Sequence, residues 1–416
     1  MDFCSVGVYP QRKTVAHKGQ RYGNVNMKHF RSKTYIYKSR LLKGIIFIID
    51  AVGYLLKWAL SLFFKKKTAR QIERILIFKL DHAGDVLLAT PAIKAIRKQF
   101  PSAHITLVAG PWAKDIVEGE SYINDIISYS AFWHNRSQDR TLNIREGIEL
   151  IRILRRRRYD IFFDLKGDLF AIIIGFFSRI PKRIGYAWSG GGFLLTDEVE
   201  ATIKKHQVEI LMDAVRIVAP TTPDIPELSI TVPVYEDRHV RAMMREEGWD
   251  DSKLTIGFHI GSGCPSKLWP VERFADLMER IYGKLKAQIV VVGGSEDIGL
   301  IKRLEGLLGF KPIVMAGKTT FEQTAAVIKR CSLFVGNDSV PVHIAAAVEV
   351  PVVVLFSAAN DWQRWRPYGN DVDVIYKNVK CKGCEKAVCD TMECMNLITV
   401  DEVFDLVSRK INLKRD

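Results

Sequence analysis

From Arg74 onward, short β-branched runs alternate with helical patterns, and this alternation constrains the fold more than any other feature of the chain. Strand, helix and strand in succession build parallel sheets from βαβ units. The first series predicts strands over 75–78, 105–108 and 161–163, with helices over 92–99, 144–157 and 207–218. A Pro-punctuated stretch from Pro220 to Pro233 follows. Beyond it, strands are expected over 255–259, 289–292, 333–335 and 352–356, and helices over 271–284, 321–329 and 342–348. Two open sheets joined by a linker place a cleft between them, where ligands sit at the carboxyl ends of strands. The expected division is an extension at 1–73, a domain at 74–235 and a second at 236–416. With 416 residues, 48% of them hydrophobic, the chain can bury two cores, which excludes disordered, collagenous and disulfide-stapled classes.

The net charge of +14 belongs almost wholly to the extension, because residues 1–74 hold 16 Lys and Arg against three acids. A nearly neutral body, and a basic arm without a recognition fold, argue against nucleic acid as a partner. No apolar core lies near Met1, so a cleavable secretory signal is not expected. Residues 41–64, LLKGIIFIIDAVGYLLKWALSLFF, lead into Lys65, Lys66 and Lys67. Lys43, Asp50 and Lys57 recur every seven residues, with Ser61 and Tyr54 close by, so at about 100° per residue they share one stripe of an apolar helix. Three arrangements fit: a helix in the membrane interface with the stripe in water, a single span, or a helix packed on the body. The interfacial helix is the expectation. Basic flanks on both sides suit the anionic cytoplasmic leaflet, hence a cytoplasmic, peripheral location on the inner membrane, with a single span as the alternative.

Four segments carry chemistry. After the first strand comes Lys79-Leu80-Asp81-His82-Ala83-Gly84-Asp85, where Asp85 either caps a helix or faces the cleft as a base for an incoming hydroxyl. No G-x-G-x-x-G follows, which weakens a nicotinamide or flavin reading. In the second series, His259-Ile260-Gly261-Ser262-Gly263 leads to Lys267; its glycines admit backbone N–H groups to an anion and the lysine adds charge. Asn337-Asp338-Ser339-Val340-Pro341-Val342-His343 opens a helix of small residues, an anion site unless Asp338 is only a cap and His343 only core. Cys381, Cys384, Cys389 and Cys394, spaced C-x2-C-x4-C-x4-C, form either a metal knuckle or free thiols. Arg155 to Arg158 read as cations suited to a helix C-terminus.

In order, RILIFKLDHAGDVLLATPAIKAIRKQFP, YDIFFDLKG, RIGY, HQVE, HIGSGCPSKLWPVERFADL, VVVGGSED, FVGNDSVPVHIAAAVEVPVVVLF and RWRPYG resemble glycosyltransferase family 9, the ADP-heptose:lipopolysaccharide heptosyltransferases and their relatives. The resemblance runs from about Arg74 to Val407 and leaves the extension outside. It implies a GT-B fold: α/β, two Rossmann-like domains facing an interdomain cleft. It further implies an inverting transfer from a nucleotide sugar, ADP-heptose, to a lipopolysaccharide-core or related lipid-linked glycan, with no metal required. It assigns the base to Asp85 and donor binding to Ser262, Gly263, Lys267, Glu296, Asp338, Ser339 and His343. Val340 stands where the family has Gly, which invites two alternatives. One is a degenerate member serving as a membrane-bound nucleotide-binding or assembly protein. The other is the same fold using another nucleotide sugar. Sugar choice, the acceptor and the oligomeric state stay open.

Overall fold

The computed structural model describes residues 35, 37, 39–62, 71–131, 144–200, 202, 204–220 and 225–412. The expected end of the apolar helix at Phe64, and Lys65 to Lys67, lie outside them. One sheet contains β1 (Arg74–Lys79), β2 (His104–Ala109), β3 (Asp125–Ser128), β4 (Ile161–Asp164), β5 (Lys182–Gly185) and β6 (Asp197–Glu198), ordered β3-β2-β1-β4-β5-β6. The other contains β7 (Thr255–His259), β8 (Gln288–Val291), β9 (Ile313–Val314), β10 (Leu333–Asn337), β11 (Val352–Phe356) and β12 (Val372–Tyr376), ordered β12-β11-β10-β7-β8-β9. Every pairing is parallel. Counted from β7, the second order repeats the first, so both sheets have the Rossmann order 3-2-1-4-5-6. All seven expected strands are present within two residues; the five extra ones include all four sheet edges.

The helices are α1 (Arg40–Ser61), α2 (Ala83–Leu87), α3 (Thr90–Gln99), α4 (Ile144–Arg157), α5 (Leu169–Phe177), α6 (Gln207–Arg216), α7 (Val234–Glu246), α8 (Val271–Arg280), α9 (Ile298–Glu305), α10 (Phe321–Ile328), α11 (Val340–Ala347), α12 (Trp362–Trp365), α13 (Glu393–Asn396) and α14 (Val400–Asn412). Helices cover both faces of β1, and its alternation sorts the core: Ile75 and Ile77 join Ile93 and Ile96 of α3, while Leu76 and Phe78 join Leu150, Leu154 and Ile174 of α4 and α5. Each such buried side chain contributes roughly 1.5–3 kcal/mol.

The two halves touch. Helix α2 packs against α11, and a Cβ on Gly84 would sit 3.7 Å from both Val340 Cγ2 and His343 Cδ2. A second contact joins two of the sequence motifs. The Arg364 guanidinium donates to Gln207 Oε1 at 2.8 and 3.0 Å, and His206 Nε2 meets the Arg366 carbonyl at 2.8 Å.

Helix α1 departs from the expected orientation. The middle of its polar stripe is packed on the first half, with Asp50 buried and Tyr54 half-buried, while Lys57 and Ser61 toward its C-terminal end stay exposed. Asp50, 1% exposed, accepts from Tyr35 Oη and Gly191 N, both at 2.8 Å. Tyr54 donates to Glu198 and Lys57 to the Leu195 carbonyl. The cause is local: the Gly190-Gly191 turn has φ of 90° and 77°, which aims an unpaired backbone N–H at the helix, and a carboxylate answers it.

Candidate active site

In sheets of this order, ligands bind where the strand order reverses, beyond the carboxyl ends of the first and fourth strands. Here that means the ends of β1 and β4 in the first half, and of β7 and β10 in the second. All of the candidate base and donor-binding residues except Glu296 fall on the segments leaving three of these strands.

At the end of β1, Lys79 is buried and pairs with Asp81 at 2.9 Å, while Lys166, just past β4, lies 3.8 Å from the same carboxylate. Burial alone would raise Asp81, but Lys166 and then Lys79 outweigh it and hold the group below the usual carboxylate range. Asp85, in the first turn of α2, shows the opposite balance. Burial, then the charge of Asp81, pushes it up to about 7 against the pull of Lys79, Lys166 and, from the other half, Lys267. A carboxyl poised near neutrality is suited to accept a proton. Asp164, at the end of β4, accepts from the backbone N–H groups of Lys166, Gly167 and Asp168 and so shapes the turn that carries Lys166. Burial, and next the charge of Asp168, raises it to about 7 despite those bonds.

In the second half, Lys267 donates to Asp338 Oδ2 at 2.6 Å, and Asn360 Nδ2 approaches the same oxygen at 3.3 Å. Ser339 caps α11 in extended conformation without bonding that helix's N–H groups through its side chain; its hydroxyl meets His259 Nδ1 at 2.7 Å and donates to the Asn337 carbonyl at 3.0 Å. His259 Nε2 in turn lies 3.2 Å from Asp297 Oδ2, which also accepts from Gly294 N at 3.0 Å. A Cβ on Gly261 would overlap the Asp297 carboxylate, so the glycine is needed for space. Asn337 ties the loop to β10, accepting from Trp269 N at 3.2 Å and donating to the Ile260 carbonyl at 2.8 Å. Ser262 accepts from Cys264 N within its own loop at 3.3 Å. Gly263 lies on that loop, between Ser262 and Lys267.

His343 is buried on α11 against Gly84, and its Nδ1 has no hydrogen-bond partner among the described residues. Burial pushes its pKa down to about 4, so the ring is neutral at pH 7. Glu296 is exposed on the turn Ser295–Asp297, and its neighbour Asp297 is the acid that turns inward. Val340 begins α11 and is not among the positive-φ residues, so the backbone conformation here does not require glycine.

Lys79, Asp81, Lys166, His259, Asp297 and Asn337 are the residues that the motifs did not single out. Charged or polar side chains at the carboxyl ends of buried strands were the available signal. Among the described residues, no group of three or more His, Cys, Asp or Glu is placed to hold a metal ion. Cys381 is exposed, Cys384 and Cys389 half-buried, and Cys394 buried beside Ser357. Their segment instead supports the loop that carries Lys267. Ser266 N donates to the Ala387 carbonyl at 3.0 Å, and Ser266 Oγ to the Lys386 carbonyl.

The family model of glycosyltransferase family 9 (heptosyltransferase) matches residues 148–395. Lipopolysaccharide heptosyltransferase 3 of Escherichia coli is 23% identical over 296 residues, covering 70% of this chain and 84% of that protein. A family 9 glycosyl transferase from Veillonella parvula superposes with a TM-score of 0.73 at 24% identity, over 83% of this chain and 99% of its own. The E. coli ADP-heptose lipopolysaccharide heptosyltransferase II does so with a TM-score of 0.67 at 20% identity, over 82% and 100%. With the paired sheets of the same order these matches establish a GT-B fold, and the chain belongs to glycosyltransferase family 9, the heptosyltransferase family.

Proposed function

We propose that this glycosyltransferase moves heptose from ADP-heptose to a lipopolysaccharide-core or related lipid-linked glycan at the cytoplasmic face of the inner membrane, with inversion at the anomeric carbon. One observation carries the reading: Asp85 in the first half lies within electrostatic reach of Lys267 in the second, at the seam where Gly84 meets Val340 and His343. On this reading, residues 74–235 hold the acceptor and 236–416 the donor, with 1–73 as the extension.

Asp85 takes the proton of the acceptor hydroxyl as its oxygen attacks the anomeric carbon. The anomeric C–O bond to phosphate breaks on the opposite face, and its electron pair leaves with ADP. Negative charge grows on the departing diphosphate, where Lys267, the Ser339 hydroxyl and the N–H groups opening α11 receive it. Ser262 and Gly263 belong to the loop that borders this diphosphate. Asp338 aims Lys267, and Asp297 through His259 aims Ser339. Glu296 reaches the donor ribose from the edge of the site. His343, neutral and buried, keeps the seam closed without adding charge beside Asp85. The site's own residues supply charge and base, and no metal enters the scheme. The names of the relatives support the choice of heptose and lipopolysaccharide.

The test presents purified protein with ADP-heptose beside UDP-, GDP- and ADP-hexoses and a truncated lipopolysaccharide acceptor in vesicles. ADP release and acceptor labelling from ADP-heptose alone are expected. Turnover of a different nucleotide sugar would discard heptose and keep the reaction class.

A further inference from the structure

We propose that α1 is an in-plane membrane helix, clamped through its polar stripe to the Gly190–Gly192 turn, whose outward apolar face docks on an anionic lipid bilayer. The proposal deepens the reading above by assigning a surface to the membrane contact.

By length and composition α1 could cross a bilayer. Its packing argues for lying in the surface instead. A span exposes its whole circumference to lipid, whereas one side of α1 is committed to protein. Leaving the body would strip the Asp50 carboxylate of the Gly191 N–H, and would part Tyr54 from Glu198 and Lys57 from the Leu195 carbonyl. Groups so stripped are strongly disfavoured in hydrocarbon. Shape agrees with charge. The Phe193 ring lies where a Cβ on Gly53 would go, and Ile46 lies where one on Gly190 would go, so helix and turn interlock.

The opposite side is apolar and open. Ile48, Val52, Leu55, Leu56 and Leu60 are each more than half exposed. A run of this kind along one helix exceeds the scattered apolar residues of an ordinary surface. Helix α5 borders the same turn, with Leu169 against Gly191, and has exposed Phe176 and Phe177 at its far end. Next to α5, α4 presents exposed Arg145, Arg152 and Arg156.

The charge selects the occupant. A second copy of a chain with net charge +14 would be repelled, whereas an anionic bilayer accepts both the apolar face and the arginines. Docking would also present the acceptor side to lipid. Ser189, beside the clamped turn, donates to the Gly167 carbonyl, next to Lys166 of the site.

The test is flotation of the full-length protein with vesicles of phosphatidylethanolamine and phosphatidylglycerol, or of phosphatidylcholine alone. It compares the unmodified protein with the exposed-face variant Ile48→Gln, Leu55→Gln, Leu56→Gln. The expected result is binding to anionic vesicles at least about tenfold above neutral ones, release by alkaline carbonate, and at least about a tenfold loss in the variant. The variant should keep its thermal transition and its turnover of a water-soluble acceptor. Undiminished binding by the variant would overturn the proposal. So would resistance to carbonate, which marks a span, or a lipid-free dimer that the variant abolishes, which marks a second copy as occupant. Vesicle binding that behaves as expected, in a protein that turns over no nucleotide sugar, would sink the functional reading and leave this surface standing.

Discussion

The ends of β1 and β7 occupy the same place in two sheets of identical strand order, yet they solve opposite problems. Beyond β1 the chain gathers Lys79, Asp81, Lys166 and Asp85, a crowd of charges whose balance leaves one carboxyl near neutrality. Beyond β7 it gathers glycines, one lysine, and a chain of hydrogen bonds from Asp297 through His259 to Ser339. On the proposed reading, the first arrangement moves a proton and the second holds an anion still. Equivalent topology supplies a location, and the side chains leaving the strand decide its chemistry.

The comparison breaks most sharply at Asp85. Asp85→Asn should lower kcat by about 10³ while leaving the donor dissociation constant nearly unchanged, because general-base catalysis contributes 10²–10⁴. Quenched-flow transfer beside calorimetric ADP binding checks both parts. Lys267→Ala should follow with a loss of about 10²–10³ in kcat/KM and, unlike Asp85→Asn, weaker ADP binding. Lys267→Arg should recover part of that loss, since the charge returns. Smaller again is His259→Gln or Asp297→Asn. The first removes the hydrogen bond to Ser339 and the second the one that holds His259, so ADP affinity should fall by about fivefold, near 1 kcal/mol, and in the double variant by little more than in either alone. Additive losses would dissolve the relay into two independent contacts.

What was legible in the sequence follows the same divide. The strands β1, β2, β4, β7, β8, β10 and β11 are largely apolar runs, buried along nearly their whole length, and read plainly. The edge strands β3, β6, β9 and β12 are short or carry acids such as Asp125, Asp197 and Asp373, which break the pattern. Helix α5, LFAIIIGFF, is apolar all round and shows no period to distinguish it from a strand. Helix α14 places Val403, Val407 and Ile411 at helical spacing, but β-branched residues at each buried position blur the signal. Within the site, Asp85, Lys267, Asp338 and Ser339 were visible in local motifs. His259, Asp297 and Lys166 depend on partners 38 to 85 residues away, which no local pattern reports. The α1 stripe was legible and its direction was not, because a stripe of polar residues looks the same whether water or a backbone N–H receives it.

The most direct measurement is the pH dependence of single-turnover transfer at saturating donor. Asp85 must be ionised to take a proton, and its pKa is raised to about 7. Transfer should therefore rise with pH through that region and fade as the pH falls. Asp81→Asn removes a negative neighbour and should move the rise to lower pH; Lys166→Met removes a positive one and should move it to higher pH. Opposite displacements would confirm that the first half tunes one base. A profile flat from about pH 5 to 9, or unmoved by both substitutions, would contradict the assignment of Asp85.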